Sequence, residues 1–145
     1  METPTTACVL CLHKSNSIIN VNKMESLTGF PASEFIGKSC MDFSYQNNDC
    51  INQNIVTLKT FSSCLANGQN GLCGVYHSRS RHDEYVRFLY IVSLTRIGNH
   101  DIKVVFQVRV DPNMSPFEQD KTLNYLKRTC ELVPSNSTFK NWCST

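Results

Sequence analysis

At 145 residues, 41% hydrophobic and 18% charged, the chain is read as one globular domain, long enough to bury a core without covalent staples. Fourteen basic against twelve acidic residues leave a net charge of +2, too weak to argue for direct nucleic-acid contact or a membrane surface. No apolar run approaches the roughly twenty residues of a spanning helix, and Met1–Thr6 lacks the basic n-region of a signal peptide, so the expected address is cytoplasmic or nuclear.

Residues 1–6 are a polar lead-in. Ala7–His13 is a short apolar run expected as a strand, with Lys14-Ser15-Asn16 turning into a second strand over residues 17–21. Two short helical turns follow, the first carrying Met24 and Leu27 and stopped at Thr28-Gly29, the second begun at Phe30-Pro31 and stopped at Gly37. From Asp49 to Asn67, apolar residues at Ile51, Ile55, Leu58, Phe61 or Ser62, and Leu65 mark one face of a helix, capped by Asn48 or Asp49 and ended by Asn67-Gly68. Three strands are expected at 72–79, 84–95 and 102–110. In the last two the even positions are apolar (Val86, Phe88, Tyr90, Val92, Leu94 and Ile102, Val104, Phe106, Val108, Val110), so both are assigned to one helix-covered face. Ser115-Pro116-Phe117-Glu118 is a capping box that opens a final helix lined by Leu123, Leu126, Cys130 and Val133 and ended by Pro134. A polar tail with a lone Trp142 runs over 135–145.

The eight cysteines (Cys8, Cys11, Cys40, Cys50, Cys64, Cys73, Cys130, Cys143) are even in number, which admits a disulfide scaffold. Length and the missing signal peptide favour reduced thiols acting as small hydrophobes. Cys8 and Cys11 have C-x-x-C spacing, but on a strand residues three apart point to opposite faces, and no second pair completes a zinc site. The Asn136-Ser137-Thr138 sequon matters only in a secreted protein. Nucleophile-elbow, P-loop, dinucleotide and zinc-protease patterns are all missing, and Asp42 and Asp49 stand on separate elements, so no acid/base pair is supported. A non-catalytic chain is expected.

Four pieces carry a family resemblance: I18-I-N-V-N, S26-L-T-G-F, S33-E-F-I-G-K-S and D42-F. Their order and spacing resemble a PAS domain, with its "hxLxGY" and "xEhhGKsh" turns, over residues 7 to 111. S44-Y-Q-N-N-D departs from the usual His-Pro segment. The resemblance implies an α+β fold: a five-stranded antiparallel sheet with short helices over one face, here followed by a flanking C-terminal helix over 112–134. R79-S-R-H-D-E-Y-V-R-F88 is similar to a hairpin in basic helix-loop-helix PAS and fungal white-collar-type regulators, which pair with other PAS domains. Carried over, this nominates Tyr85, Arg87, Leu89, Gln107 and Arg109 as partner contacts, the alternative being a solvated sheet face.

The resemblance thus implies a sensory or protein-interaction module in signal transduction or transcriptional regulation. Its expected partner is another PAS-containing protein or a second copy of the chain. The inner pocket is assigned to Cys40, Phe43, Leu58, Phe88, Tyr90, Val104 and Phe106, with a core filled by side chains favoured over a small ligand. No cofactor is expected. The alternative is flavin: Gly37-Lys38-Ser39-Cys40 is similar to the G-x-N-C of light-oxygen-voltage domains, where the thiol adds to the excited flavin. Here Ser39, Met41 and Ser44 stand where that subgroup has Asn, Arg and Gln, and His77 and Arg87 stand where it has amides.

Overall fold

The computed structural model describes residues 4–131. Five strands form one antiparallel sheet: β1 (Thr6–Leu12), β2 (Ile18–Asn22), β3 (Leu72–Arg79), β4 (Tyr85–Ile97) and β5 (His100–Val110), in the spatial order β2-β1-β5-β4-β3. Between β2 and β3 run α1 (Met24–Thr28), α2 (Ala32–Phe35), a 3-10 turn (Cys40–Phe43) and α3 (Asn48–Ala66), and α4 (Pro116–Glu131) follows the sheet.

The short elements are held by local chemistry. Lys23 (φ 64°) and Gly29 (φ 85°) bracket α1 in the left-handed region, and the Gly29 amide donates to Glu25 O at 2.8 Å. The 3-10 turn is closed by a reciprocal cap: Met41 N donates to Ser39 Oγ (3.2 Å) and Ser39 N to Asp42 Oδ2 (3.1 Å). For α3 the cap is Asn47 rather than Asn48 or Asp49; its side chain accepts from the Asp49 and Cys50 amides at 3.0 and 3.2 Å. The α4 start is as expected, with Glu118 N donating to Ser115 Oγ at 3.2 Å. Val133, Trp142, Cys143 and the sequon lie outside the described residues.

The shared face of β4 and β5 needs correction. Gly98 and Asn99 join them in a two-residue hairpin that pairs Ile97 with His100, Gly98 taking φ 63° at the first turn position, where such hairpins favour glycine. An even-numbered residue of one strand then always faces an odd-numbered residue of the other. Phe88 pairs with Arg109, Tyr90 with Gln107 and Val92 with Val105. Paired residues share a sheet face, so Val105 and Gln107 face α1–α3, while Val104, Phe106, Val108 and Val110 point the other way.

That second face is also apolar because it too is covered. Leu126 of α4, fully buried, packs into a cluster with Leu89, Ile91, Val108 and Val110. Cys8, Leu10, Ile102 and Val104 make a neighbouring cluster. Cys8 and Cys11 diverge as expected, Cys8 pairing with Phe106 and Cys11 with Lys103 on the opposite face. The face of α3 is shifted as well. Asn54 and Leu65 are buried while Ile55 is 36% exposed, so the inward row runs Asn54, Leu58, Phe61, Leu65.

Candidate functional site

Between the sheet and the helices α1–α3 lies a cavity of about 70 Å³. Cys40, Phe43, Leu58, Phe88 and Tyr90 line it as expected; Val9, Ile18, Met24, Phe35, Tyr76, Ser78, Val105 and Gln107 complete it. Val104 and Phe106 do not, because the hairpin register turns them to the other face. Expecting the strands to end at 95 and begin at 102 hid the two-residue turn that sets the β5 register; the contribution of β1 and β2 was not legible either, since nothing local tells which edge of the sheet the first hairpin joins.

The polar groups at this cavity are mostly engaged. Tyr76 donates its hydroxyl to Cys40 O at 2.9 Å, and Ser78 Oγ donates to Phe43 O at 2.9 Å. The Gln107 amide donates to the Met24 sulfur at 3.0 Å. Tyr90 is the exception: its buried hydroxyl has no hydrogen-bond partner among the described residues. Burial raises the ionisation of both phenols far above the ordinary tyrosine range, so both remain neutral donors near pH 7.

Asn54, missed in the sequence, anchors one wall. Its amide donates to His77 O (2.9 Å) and Ser44 Oγ (3.0 Å) and accepts from His77 N (3.0 Å). A polar residue mid-helix and in line with Leu58 and Leu65 was the available signal. Nothing local reveals that it meets a strand edge.

Cys40 faces the cavity, and its sulfur lies 3.4 Å from that of Cys11. Lys103, directly opposite Cys11 on β5, is nearly fully buried; its ammonium donates to Asn16 Oδ1 and, at 2.8 Å, to Ser62 Oγ. None of the seven described cysteines is in a disulfide.

The five partner candidates do not form one surface. Tyr85 sits against Tyr45 and places its hydroxyl 2.7 Å from His77 Nδ1. Arg87 reaches Pro112 O at 3.3 Å, and Leu89 is buried beneath α4. Gln107 lines the cavity, and Arg109, on the same face, donates to Leu27 O at 3.1 Å. No described helix is long and apolar enough to cross a membrane, and the described residues hold no cluster of three or more His, Cys, Asp or Glu suited to a metal.

No protein-family model matches the chain, and no curated protein matches it by sequence. Solved structures do. A variant of the Cycle PAS-B domain from Drosophila melanogaster, with bound glycerol, is 11% identical with a TM-score of 0.56, covering 72% of this chain and 99% of that one. The PAS domain of the Cronobacter turicensis quorum-sensing receptor RpfR, in complex with C12:0, is 13% identical with a TM-score of 0.56, covering 77% and 99%. The PAS domain of an HTR-like protein from Haloarcula marismortui is 12% identical with a TM-score of 0.55, covering 72% and 81%. At such identities the likeness is one of fold, and it agrees with the strand order and the helix-lined cavity: the chain has the PAS fold.

Proposed function

We propose that the chain is a non-catalytic sensory module whose core cavity takes a small neutral molecule carrying a hydrogen-bonding group, within a signalling or transcriptional pathway. The observation that carries this reading is a cavity of about 70 Å³ lined by Tyr90, whose buried hydroxyl has no hydrogen-bond partner among the described residues. A buried unmatched hydroxyl costs about 1–3 kcal/mol, and a polar guest or ordered water that accepts from it removes that cost. The volume favours a guest of a few heavy atoms. Glycerol in the Cycle variant is of that scale, whereas the C12:0 of RpfR is a longer chain. An isoalloxazine calls for a pocket nearer 300 Å³ or more, so the cavity argues against the flavin alternative.

The test is an NMR titration with glycerol and short alcohols. Saturable shifts confined to the amides of Ser78, Tyr90 and Gln107, lost in a cavity-filling Val105→Phe variant, support the reading. Absence of saturable shifts, together with stabilisation by Val105→Leu, makes the cavity a packing void and sinks it.

Association with another PAS-containing protein or a second copy is the other half of the reading. Its geometric basis is α4, which occupies the apolar face of β4 and β5, so a partner meets the exposed side of α4 or displaces it. Light scattering over a concentration series, with the helix truncated at Asp111 as comparison, distinguishes these routes. A monomer in both forms excludes self-association.

A further inference from the structure

We propose that Cys40 and Cys11 form a hydroperoxide-reactive dithiol site, with Cys40 as the attacking sulfur and Cys11 as the resolving one. The assignment follows from position. Cys40 lines the cavity, where an oxidant as small as hydrogen peroxide has room, and Cys11 does not. Cys11 stands behind it with sulfur 3.4 Å from sulfur, so a contraction of about 1.4 Å reaches the disulfide bond length of about 2.05 Å. The two residues are 29 apart in sequence, one on β1 and one at the head of the 3-10 turn, so the approach is made by the fold alone.

The electrostatics run the same way. A hydrogen bond from Cys11 holds the Cys40 thiol below its ordinary range, with the Lys103 ammonium adding to the effect and burial opposing it. Cys11 is pushed up, first by its hydrogen bond with Cys40 and then by burial. The titratable groups that act on the pair are Lys103, Asp42, Tyr76, Tyr90 and, from the opposite face of β1, Cys8; Lys103 is the one cation among them. Only the thiolate attacks.

In the first step the Cys40 thiolate attacks one peroxide oxygen and the O–O bond breaks. The leaving alkoxide or hydroxide takes up the proton that Cys40 had released, and Cys40 becomes a sulfenic acid. In the second step Cys11 attacks that sulfur, the S–O bond breaks, and the hydroxyl leaves as water with the Cys11 proton. Two electrons pass from the two sulfurs to the peroxide. The bridge draws the Cys40 sulfur toward β1 and away from the cavity wall, so oxidation reshapes the cavity whether or not a ligand uses it.

The test treats the folded full chain with hydrogen peroxide, quenches with N-ethylmaleimide and reads intact mass and tryptic peptides. The expected result is an intact chain carrying two fewer maleimide labels than the untreated one and a bridge between peptides 1–14 and 39–59, assigned by fragment ions to Cys11 and Cys40 rather than to Cys8 or Cys50. The bridge is expected to be lost when the same treatment is made in urea. Cys11→Ser should leave a dimedone-trappable sulfenic acid at Cys40, and Cys40→Ser should yield neither product. Bridging of Cys40 to another cysteine, over-oxidation of wild-type Cys40 without a bridge, or a Cys11–Cys40 bridge formed equally fast in urea would overturn the proposal. The wild-type comparison with and without urea decides it even if a variant fails to fold.

Discussion

Asn54 treats His77 as a neighbouring strand would. Its side-chain amide donates to His77 O and accepts from His77 N, at 2.9 and 3.0 Å, so the exposed edge of β3 is continued by a helix side chain. This relationship fixes α3 against the sheet and stops the edge at this point from pairing with another chain.

Asn54→Ala removes both bonds and leaves the His77 N–H without its partner, while His77 O keeps the bond it accepts from Tyr45 N at 3.0 Å. A destabilisation of about 2–4 kcal/mol is expected, read as a lower urea midpoint. Hydrogen exchange at the His77 amide should accelerate more than exchange at the Tyr90 amide on the central strand. Equal acceleration at both sites would show that the bond pair has no local role.

Gly74 is where the β3 backbone comes closest to the Tyr90 and Phe61 rings. A Cβ there meets Tyr90 Oη at 2.8 Å and Phe61 Cε2 at 2.9 Å. Gly74→Ala therefore forces the Tyr90 ring to move, at an expected cost of about 1–3 kcal/mol. A thermal melt gives the size of the effect, and Gly74→Ala in a Tyr90→Leu background should cost less than in wild type.

His77 gives the fold a pH dependence. Burial, with the Arg87 charge adding, holds its imidazole below the ordinary value of 6.5, and burial does the same to His13. The folded state then binds fewer protons than the unfolded state just below pH 6.5. Stability is complete above that value and falls as pH drops through the folded pKa values. Urea midpoints measured from pH 7.5 to 5 should decline, and the decline should be shallower in His77→Gln.

Leu126 is the anchor of α4. Leu126→Ala is expected to cost about 2–5 kcal/mol and to expose Leu89, Ile91, Val108 and Val110. Dye binding to exposed apolar surface and faster exchange in α4 are the checks. A stable protein with α4 exchange unchanged would contradict the packing assigned to this helix.

Much of the architecture was readable in the chain because its cues are local. Gly29, Pro31 and the Ser115-Pro116 pair set helix boundaries through backbone conformation and capping, which depend on a few neighbouring residues. The five cavity residues found in advance, Cys40, Phe43, Leu58, Phe88 and Tyr90, sit in segments whose inward direction follows from those cues and from the family resemblance. The two that failed, Val104 and Phe106, came from taking the more apolar side of β5 as the inner one. That inference holds only when a single face is covered, and here α4 covers the second.

By itself the sequence determined the order and kinds of element and the start of the last helix at Ser115-Pro116. Only the tertiary structure decided which residues far apart in the chain meet: Asn54 with His77, Gln107 with Met24, Cys11 with Cys40. Such pairings depend on how the sheet order places β1 between β2 and β5 and how the helices lie across it. Those are properties of the whole packed core, and no window of neighbouring residues carries them.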